Sequence, residues 1–285
     1  MIRKLYTFFQ KETVLSISVI LAVFSMFWIK PDHTYISYID FRTLGLLFCL
    51  MTIVAGLKEI GVFDFLAEKM LSKAHGTKAI VTLLVLLCFF FSMVITNDVA
   101  LITFVPLALI MLHKLPEELT EYWLIKVVVM QTIAANLGSM LTPIGNPQNL
   151  YLFSYYDLSA KMFFSAMLPP FILSTVLILL CCLAFPKDRL SVPEVQATVD
   201  SRQAAVYGGL FCLAVAMVLR LVPYVLGLTV IVLALWFLDR HALKTVDWGL
   251  LATFAAFFTF SGNLARMESV RALFARLLSH GTMLI

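Results

Sequence analysis

Charge is scarce in this sequence: only 13% of its 285 residues are Asp, Glu, Lys or Arg, against about a quarter in ordinary soluble domains. It also lacks the patterns that announce most catalytic or metal chemistry. There is no GxSxG, no HExxH, no P-loop and no CxxC, which leaves nucleophile-elbow hydrolysis, zinc proteolysis and P-loop phosphate chemistry without a carrier. The cysteines, Cys49, Cys88, Cys181, Cys182 and Cys212, all lie inside apolar stretches. They read as small lipid-compatible residues and not as a disulfide framework or metal site. The histidines sit at segment ends without ligand spacing. A receptor would ordinarily carry a soluble domain, yet the longest polar segment is residues 186–203.

What is there is apolar. Hydrophobic residues make up 61% of the chain, mean hydropathy is +0.96, and several uncharged runs are long enough to read as spanning helices. The excess of basic over acidic residues is small, 21 against 17. It falls between the runs, as membrane topology requires, and does not point to nucleic acid. Arg3, Lys4 and Lys11 precede the first run, Thr13 to Ile29, with no small-residue cleavage site after it. That makes it an uncleaved first helix starting on the cytoplasmic side.

The second run, Leu44 to Leu57, is followed by an amphipathic stretch, Val62 to Leu71. Its apolar face is expected to carry Phe63, Leu66, Ala67 and Met70 and to lie on the membrane surface. Then come Ala79–Ile95 and Val99–Leu112, divided by Thr96-Asn97-Asp98. As helices these arms measure about 25 and 21 Å, short of a hydrocarbon core of about 30 Å. Two half-depth helices meeting at a polar tip, a re-entrant hairpin over 79–112, fit better than two short spans, although both remain open. After a charged loop, residues 123–156 carry no charge between Lys126 and Asp157 but do contain Gln131, Asn136, Gly138 and Ser139, then Thr142-Pro143-Ile144-Gly145-Asn146-Pro147-Gln148-Asn149. Two prolines around Gly-Asn stop a helix, so a broken helix is expected, non-helical and buried from Thr142 to Asn149. An external loop is the plainer alternative. Against it, the polar residues begin well inside the apolar run, and broken helices at membrane depth occur where they line a cavity.

Residues 163–185, 204–219, 221–238 and 248–261 supply further spans, with 186–203 as a cytoplasmic linker. Asp40-Phe41-Arg42 opens a helix that ends near Gly56, and Asp247-Trp248-Gly249 opens another that ends near Gly262; an amphipathic segment follows each. The offset is about 206 residues, and counting crossings gives the two copies opposite orientation, an inverted-topology repeat of the kind that builds secondary transporters. The expected domains are therefore a first repeat over 1–185, the linker, and a second repeat beginning at 204–285. Basic residues place 58–78, 113–122, 186–203 and 239–247 in the cytoplasm and 30–41 outside. Arg266, Arg271 and Arg276 run against that bias.

Ile95-Thr96-Asn97-Asp98-Val99-Ala100 followed by Asn136-Leu137-Gly138-Ser139-Met140-Leu141-Thr142-Pro143-Ile144-Gly145-Asn146-Pro147-Gln148-Asn149 resembles the ion transporter superfamily. That group includes citrate-transporter-like permeases, divalent anion/sodium symporters, arsenite permeases and some sodium/proton antiporters. The resemblance covers nearly the whole chain. It implies an all-α polytopic membrane protein, an inverted repeat with a re-entrant hairpin and a broken helix, and a secondary active transporter, not an enzyme. In the symporters a Ser-Asn-Thr triplet at the hairpin tip binds substrate carboxylate and sodium. Here the triplet is Thr96-Asn97-Asp98, and Asp98 in place of a neutral hydroxyl looks more like the antiporter and arsenite branches.

The resemblance implies a substrate and ion site at Thr96, Asn97, Asp98, Thr142, Gly145, Asn146 and Asn149, with sodium at Asn97, Gly145 and Asn146. It implies no cofactor beyond a coupling Na+ or H+. Expected partners are membrane lipid and a small anionic substrate, with a homodimer as a candidate assembly. The expected location is the inner membrane of a prokaryote. By the repeat offset a second hairpin would begin near residue 285, where the sequence stops, so residues 1–285 alone are expected not to transport. Asp98 is the only acidic residue between Lys78 and Glu117. Intramembrane carboxylates usually mark ion or proton paths, the plainer alternative being an N-cap of the helix after it.

Overall fold

A computed structural model describes residues 12–72, 74, 76–112, 117–185 and 199–281, with the side chains of 117–122, 274 and 276–281 outside the description. The basic N-terminal residues Arg3, Lys4 and Lys11 and most of the 186–203 linker lie outside the described residues. What is described is helical, without strands, and the chain is an all-α polytopic membrane protein. Among the described residues, helices Phe41–Glu59, Thr77–Ile95, Ala160–Leu183, Ser201–Val218 and Trp248–Arg266 are long and apolar enough to cross a membrane.

In chain order the helices are α1 (Thr13–Ser25), α2 (Tyr35–Tyr38), α3 (Phe41–Glu59), α4 (Val62–Leu71), α5 (Thr77–Ile95), α6 (Asn97–Leu112) and α7 (Glu117–Ser139). Then follow α8 (Pro147–Tyr155), α9 (Ala160–Leu183), α10 (Ser201–Val218), α11 (Tyr224–Leu238), α12 (Trp248–Arg266) and α13 (Glu268–Gly281). Several differ from expectation. Helix α7 starts at Glu117, inside the expected charged loop. Ser201, Arg202 and Gln203 belong to α10 and not to the linker, because Asp200 caps that helix by accepting the Arg202 N–H. Helix α5 gains two residues at its start and reaches 19, about 28 Å, so length alone no longer argues that it stops at half depth. On α4 the buried residues are Phe63, Ala67 and Leu71, while Leu66 and Met70 are exposed. The contact stripe is thus rotated from the face that hydropathy picks out.

The chain divides into two packing units, Met1–Leu44 with Asp247–Ile285, and Gly45–Val246. In the first, α1 packs along α12, and Asn263, fully buried, donates from Nδ2 to Ser25 Oγ at 2.8 Å. At the end of α12, Arg266 pairs with Asp32 at 2.8 Å and also donates to Thr34 Oγ1 and Tyr38 OH. That carboxylate neutralises Arg266, one of the three arginines that ran against the charge bias; Arg271 is exposed. The Arg266 hydrogen bond, with a second from Thr34, holds the Asp32 carboxyl down to about 2.

In the second unit α5, α6 and α7 form the packed centre, with α9 against α5 and α7. In lipid this association rests on close van der Waals fit and polar ties, since lipid tails are as apolar as the side chains they touch. Both devices are present. Gly138 of α7 lies so close to α5 that a Cβ would stand 1.9 Å from the Phe89 carbonyl oxygen. Gln131, fully buried on α7, donates to the backbone carbonyls of Phe104 on α6 (3.1 Å) and Leu84 on α5 (3.4 Å). Helix ends assigned to one side are tied together: Lys78 Nζ donates to the Leu183 carbonyl at 2.6 Å, Tyr207 OH to Asp239 at 2.6 Å, and His241 approaches Glu59 at 3.9 Å. Elsewhere in this unit Arg220 pairs with Asp157 at 2.7 Å and lies over the Phe153 ring at 5.4 Å.

Helices α3 and α12, the two that the expected repeat pairs, share local features. Helices α3 and α12 are each 19 residues long. Asp40 accepts the Thr43 N–H at 3.0 Å and Asp247 the Leu250 N–H at 2.8 Å, the same cap on the same first turn. A second helix begins within three residues of each end, at Val62 and at Glu268.

Candidate functional site: a hairpin tip seated on a broken helix

Helices α5 and α6 are separated by one residue. Thr96 has φ 71° and ψ 153°, a backbone region that side-chain-bearing residues occupy at a cost of order 1–3 kcal/mol. It reverses the chain, and the Phe91 and Phe104 rings then meet edge to face at 5.1 Å across the arms. Asn97 and Asp98 are thus the first two residues of α6, whose Ala100 N–H bonds back to the Thr96 carbonyl at 3.0 Å. This corrects the cap reading of Asp98: the helix begins at Asn97, so Asp98 lies inside its first turn and Thr96 holds the cap position. Asp98 is exposed.

The broken helix is present, with a shifted boundary. Helix α7 ends at Ser139, the chain is non-helical from Met140 to Asn146, and α8 starts at Pro147. Pro147, Gln148 and Asn149 are therefore helical, against expectation, and Gln148 is exposed. Proline is favoured at a first helical position because its missing N–H would be unbonded there anyway. Asn146 caps α8, its Oδ1 accepting the Asn149 N–H at 2.8 Å while its Nδ2 donates to Ser139 Oγ at 3.2 Å. Asn149 is buried, and its Nδ2 faces the carbonyls of Ser139 (3.2 Å), Met140 (3.0 Å) and Thr142 (3.1 Å). One amide thereby gathers the carbonyls that the end of α7 leaves without helical partners. The structure thus gives Asn146 and Asn149 the work of holding the break.

Hairpin and break touch. The Asn97 backbone N–H donates to the Gly145 carbonyl at 3.1 Å, and Thr142 Oγ1 donates to the Met93 carbonyl on the last turn of α5. Asn97 Nδ2 donates to Asn136 Oδ1 on α7 at 3.1 Å. Gly145 is buried, and a Cβ there would stand 2.2 Å from the Ser139 carbonyl oxygen, so no larger residue closes this turn. Two helix N-termini, which attract anions, and two C-termini, which attract cations, meet within this cluster.

Thr96, Asn97, Thr142, Gly145, Asn146 and Asn149 are thus brought together, with Asp98 at the edge. Asn136 and Gln131 were missing from the expected site. Their signal was an uncharged polar side chain inside an apolar run, but nothing in the pattern says what each one touches. Among the described residues no group of His, Cys, Asp or Glu could hold a metal ion. The oxygens here are amide, hydroxyl and backbone oxygens, donors that suit a hard monovalent cation. One of them, Asn97 Oδ1, is buried without a hydrogen-bond partner.

The comparisons with known proteins concern the chain as a whole. The chain is 31% identical over 225 residues to the inner membrane protein YbiR of Escherichia coli, an alignment covering 77% of this chain and 58% of that protein. It is 35% identical over 176 residues to the uncharacterized transporter MJ0456 of Methanocaldococcus jannaschii, covering 61% and 47%. It is 32% identical over 170 residues to the silicon efflux transporter LSI3 of Oryza sativa, covering 58% and 33%. The chain spans about half the length of the first two relatives. The family model for citrate transporters matches residues 7–285, and the chain belongs to that family, whose members are membrane transporters and not enzymes.

Proposed function

We propose that the protein is a secondary active transporter that moves a small anion, with a carboxylate such as citrate or a dicarboxylate favoured, and that sodium is the coupling ion. The observation that carries this reading is Asn97 Oδ1, a buried acceptor on the hairpin tip without a hydrogen-bond partner. An unsatisfied buried acceptor costs about 1–3 kcal/mol, and only a donor or a cation relieves it. The neighbouring oxygens of Thr142, Gly145 and Ser139 carry no titratable group, so the cluster suits sodium better than a proton. The anion is drawn to the first turn of α6 and the start of α8, where helix N-termini supply N–H groups and partial positive charge.

The second reading is proton coupling, as in a sodium/proton antiporter, and Asp98 favours it: a carboxylate on the first turn of α6, exposed beside the same tip. The arsenite branch and the silicon efflux of one relative widen the substrate panel. Reconstitution into vesicles decides among them. Citrate, succinate, arsenite and silicic acid are offered under an imposed sodium gradient and, separately, an imposed proton gradient. On the sodium reading, uptake follows the sodium gradient, is lost in Asn97→Ala and survives in Asp98→Asn. Uptake that ignores sodium, follows the proton gradient and disappears in Asp98→Asn refutes it in favour of proton coupling; sodium flux driven by the proton gradient, with none of the four substrates taken up, marks the antiporter.

A further inference from the structure

We infer that Asn136 is a positioning residue: it sets which way the Asn97 amide faces and thereby presents Asn97 Oδ1 to the coupling cation. This rests on the sodium reading above and adds to it a residue that neither touches the ion nor belongs to the hairpin.

The hydrogen bonds around Asn97 form a chain with only one consistent sense. A backbone carbonyl can only accept. The Thr132 carbonyl accepts from the Asn136 side chain at 2.9 Å, so the group facing it is Nδ2, and Asn136 Oδ1 must face the other way. That oxygen also can only accept, and it stands 3.1 Å from the Asn97 side chain. The atom that Asn97 offers it must therefore be Nδ2. With its nitrogen committed, Asn97 has one amide atom left, Oδ1, which is buried and without a partner. The backbone cannot swing to exchange the two, because the Asn97 N–H is held by the Gly145 carbonyl at 3.1 Å and Thr96 is fixed in an uncommon conformation. The information that the free atom is an oxygen thus originates in a helix carbonyl on α7 and is relayed by Asn136. Without Asn136, an amide flip would put Nδ2 in the cation's place, where it repels.

Asn136 is exposed, so its replacement removes no core packing. The test uses the purified protein titrated with sodium chloride against choline chloride at constant ionic strength, reading the midpoint of thermal unfolding. Sodium should raise the wild-type midpoint. In Asn136→Ala the sodium-free midpoint should hold while the half-saturating sodium concentration rises about tenfold, the factor that one hydrogen bond is worth. Asn136→Asp loses the bond to the Thr132 carbonyl, but its exposed carboxylate still accepts from Asn97 Nδ2, so its half-saturating sodium concentration should not rise above the wild-type value. Asn97→Ala and the double variant Asn97→Ala/Asn136→Ala should match one another, since Asn136 acts only through Asn97. The inference fails alone if wild type responds to sodium and Asn136→Ala titrates unchanged, if Asn136→Asp behaves like Asn136→Ala, or if Asn136→Ala adds its own shift in the Asn97→Ala background. A wild type with no sodium response overturns both this inference and the sodium reading.

Discussion

Replacing Gly138 with alanine tests how α7 is seated on the hairpin. A Cβ there would lie 1.9 Å from the Phe89 carbonyl oxygen, 2.7 Å from its carbonyl carbon and 2.7 Å from Ser92 Oγ. The serine hydroxyl can rotate away, but the carbonyl cannot move without unwinding α5. Since ordinary contact begins near 3.4 Å, the helices must part by about 1.5 Å, which a close-packed interior resists. Such overpacking typically costs about 1–3 kcal/mol, and a backbone obstacle belongs at the upper end. The retreat also stretches the bond that buried Gln131 sends from α7 to the Phe104 carbonyl, 3.1 Å at rest, at about 1 kcal/mol. A loss of roughly 3 kcal/mol or more is expected, a fall of roughly 6–12 °C in the unfolding midpoint for a chain of this size. Tryptophan fluorescence of the detergent-solubilised protein reads it. Gly208→Ala and Gly209→Ala are the controls: a Cβ at either meets nothing within 4 Å, and a helix gains about 0.5–1 kcal/mol when glycine becomes alanine. A Gly138→Ala protein that melts with these controls would show that α7 is not held against α5 as described.

Other substitutions probe separate parts. Asn149→Ala strips a side-chain donor from the carbonyls of Ser139 and Met140 at the end of α7 and of Thr142 in the break and should destabilise by about 1–3 kcal/mol; Asn149→Asp, which turns an acceptor onto them, should be worse in the same melt. At the end of α8, Arg220→Ala and Asp157→Asn should couple by only about 0.5–1 kcal/mol in a double-mutant cycle, because Asp157 is 83% exposed; a coupling of several kcal/mol would contradict that screening. The Asp32–Arg266 pair predicts a pH signature. The folded-state carboxyl is depressed from 3.8 to about 2, so its contribution is fully present above the unfolded value and is lost as pH falls through the folded one. The difference in unfolding midpoint between wild type and Asp32→Asn should therefore hold at neutral pH, shrink below about pH 4 and be mostly gone near pH 2; a difference undiminished at about pH 2 would refute the pairing.

Much of the fold was legible because lipid imposes a coarse rule. A spanning segment must be apolar and must satisfy its own backbone, and runs such as 163–185 and 204–219 announce themselves by length alone. The hairpin and the break were legible for a related reason: Thr96-Asn97-Asp98 and Pro143 to Pro147 interrupt runs that a plain span would continue. Boundaries were less so. Glu117 to Tyr122 looked like loop because charge near a membrane edge is compatible with either state. The resemblance placed Asn146 and Asn149 in the substrate and ion site; the structure adds that Asn146 Oδ1 caps α8 and that Asn149 Nδ2 gathers the carbonyls of Ser139, Met140 and Thr142. An asparagine in a sequence does not say whether its oxygen is spent.

The sequence by itself determined that this is an all-α membrane protein with two interrupted segments, because hydropathy, proline chemistry and charge placement act locally and leave local marks. Only the tertiary structure decided that the interruptions meet, through the Asn97 N–H and the Gly145 carbonyl. It also decided that Asn136 reaches Asn97 and that Asn97 Oδ1 is left buried without a partner. Those contacts join residues about 40 to 50 positions apart. They depend on helix axes approaching closely at Gly138 and on the sense of each hydrogen bond, and neither is written in the local pattern of apolar and polar residues.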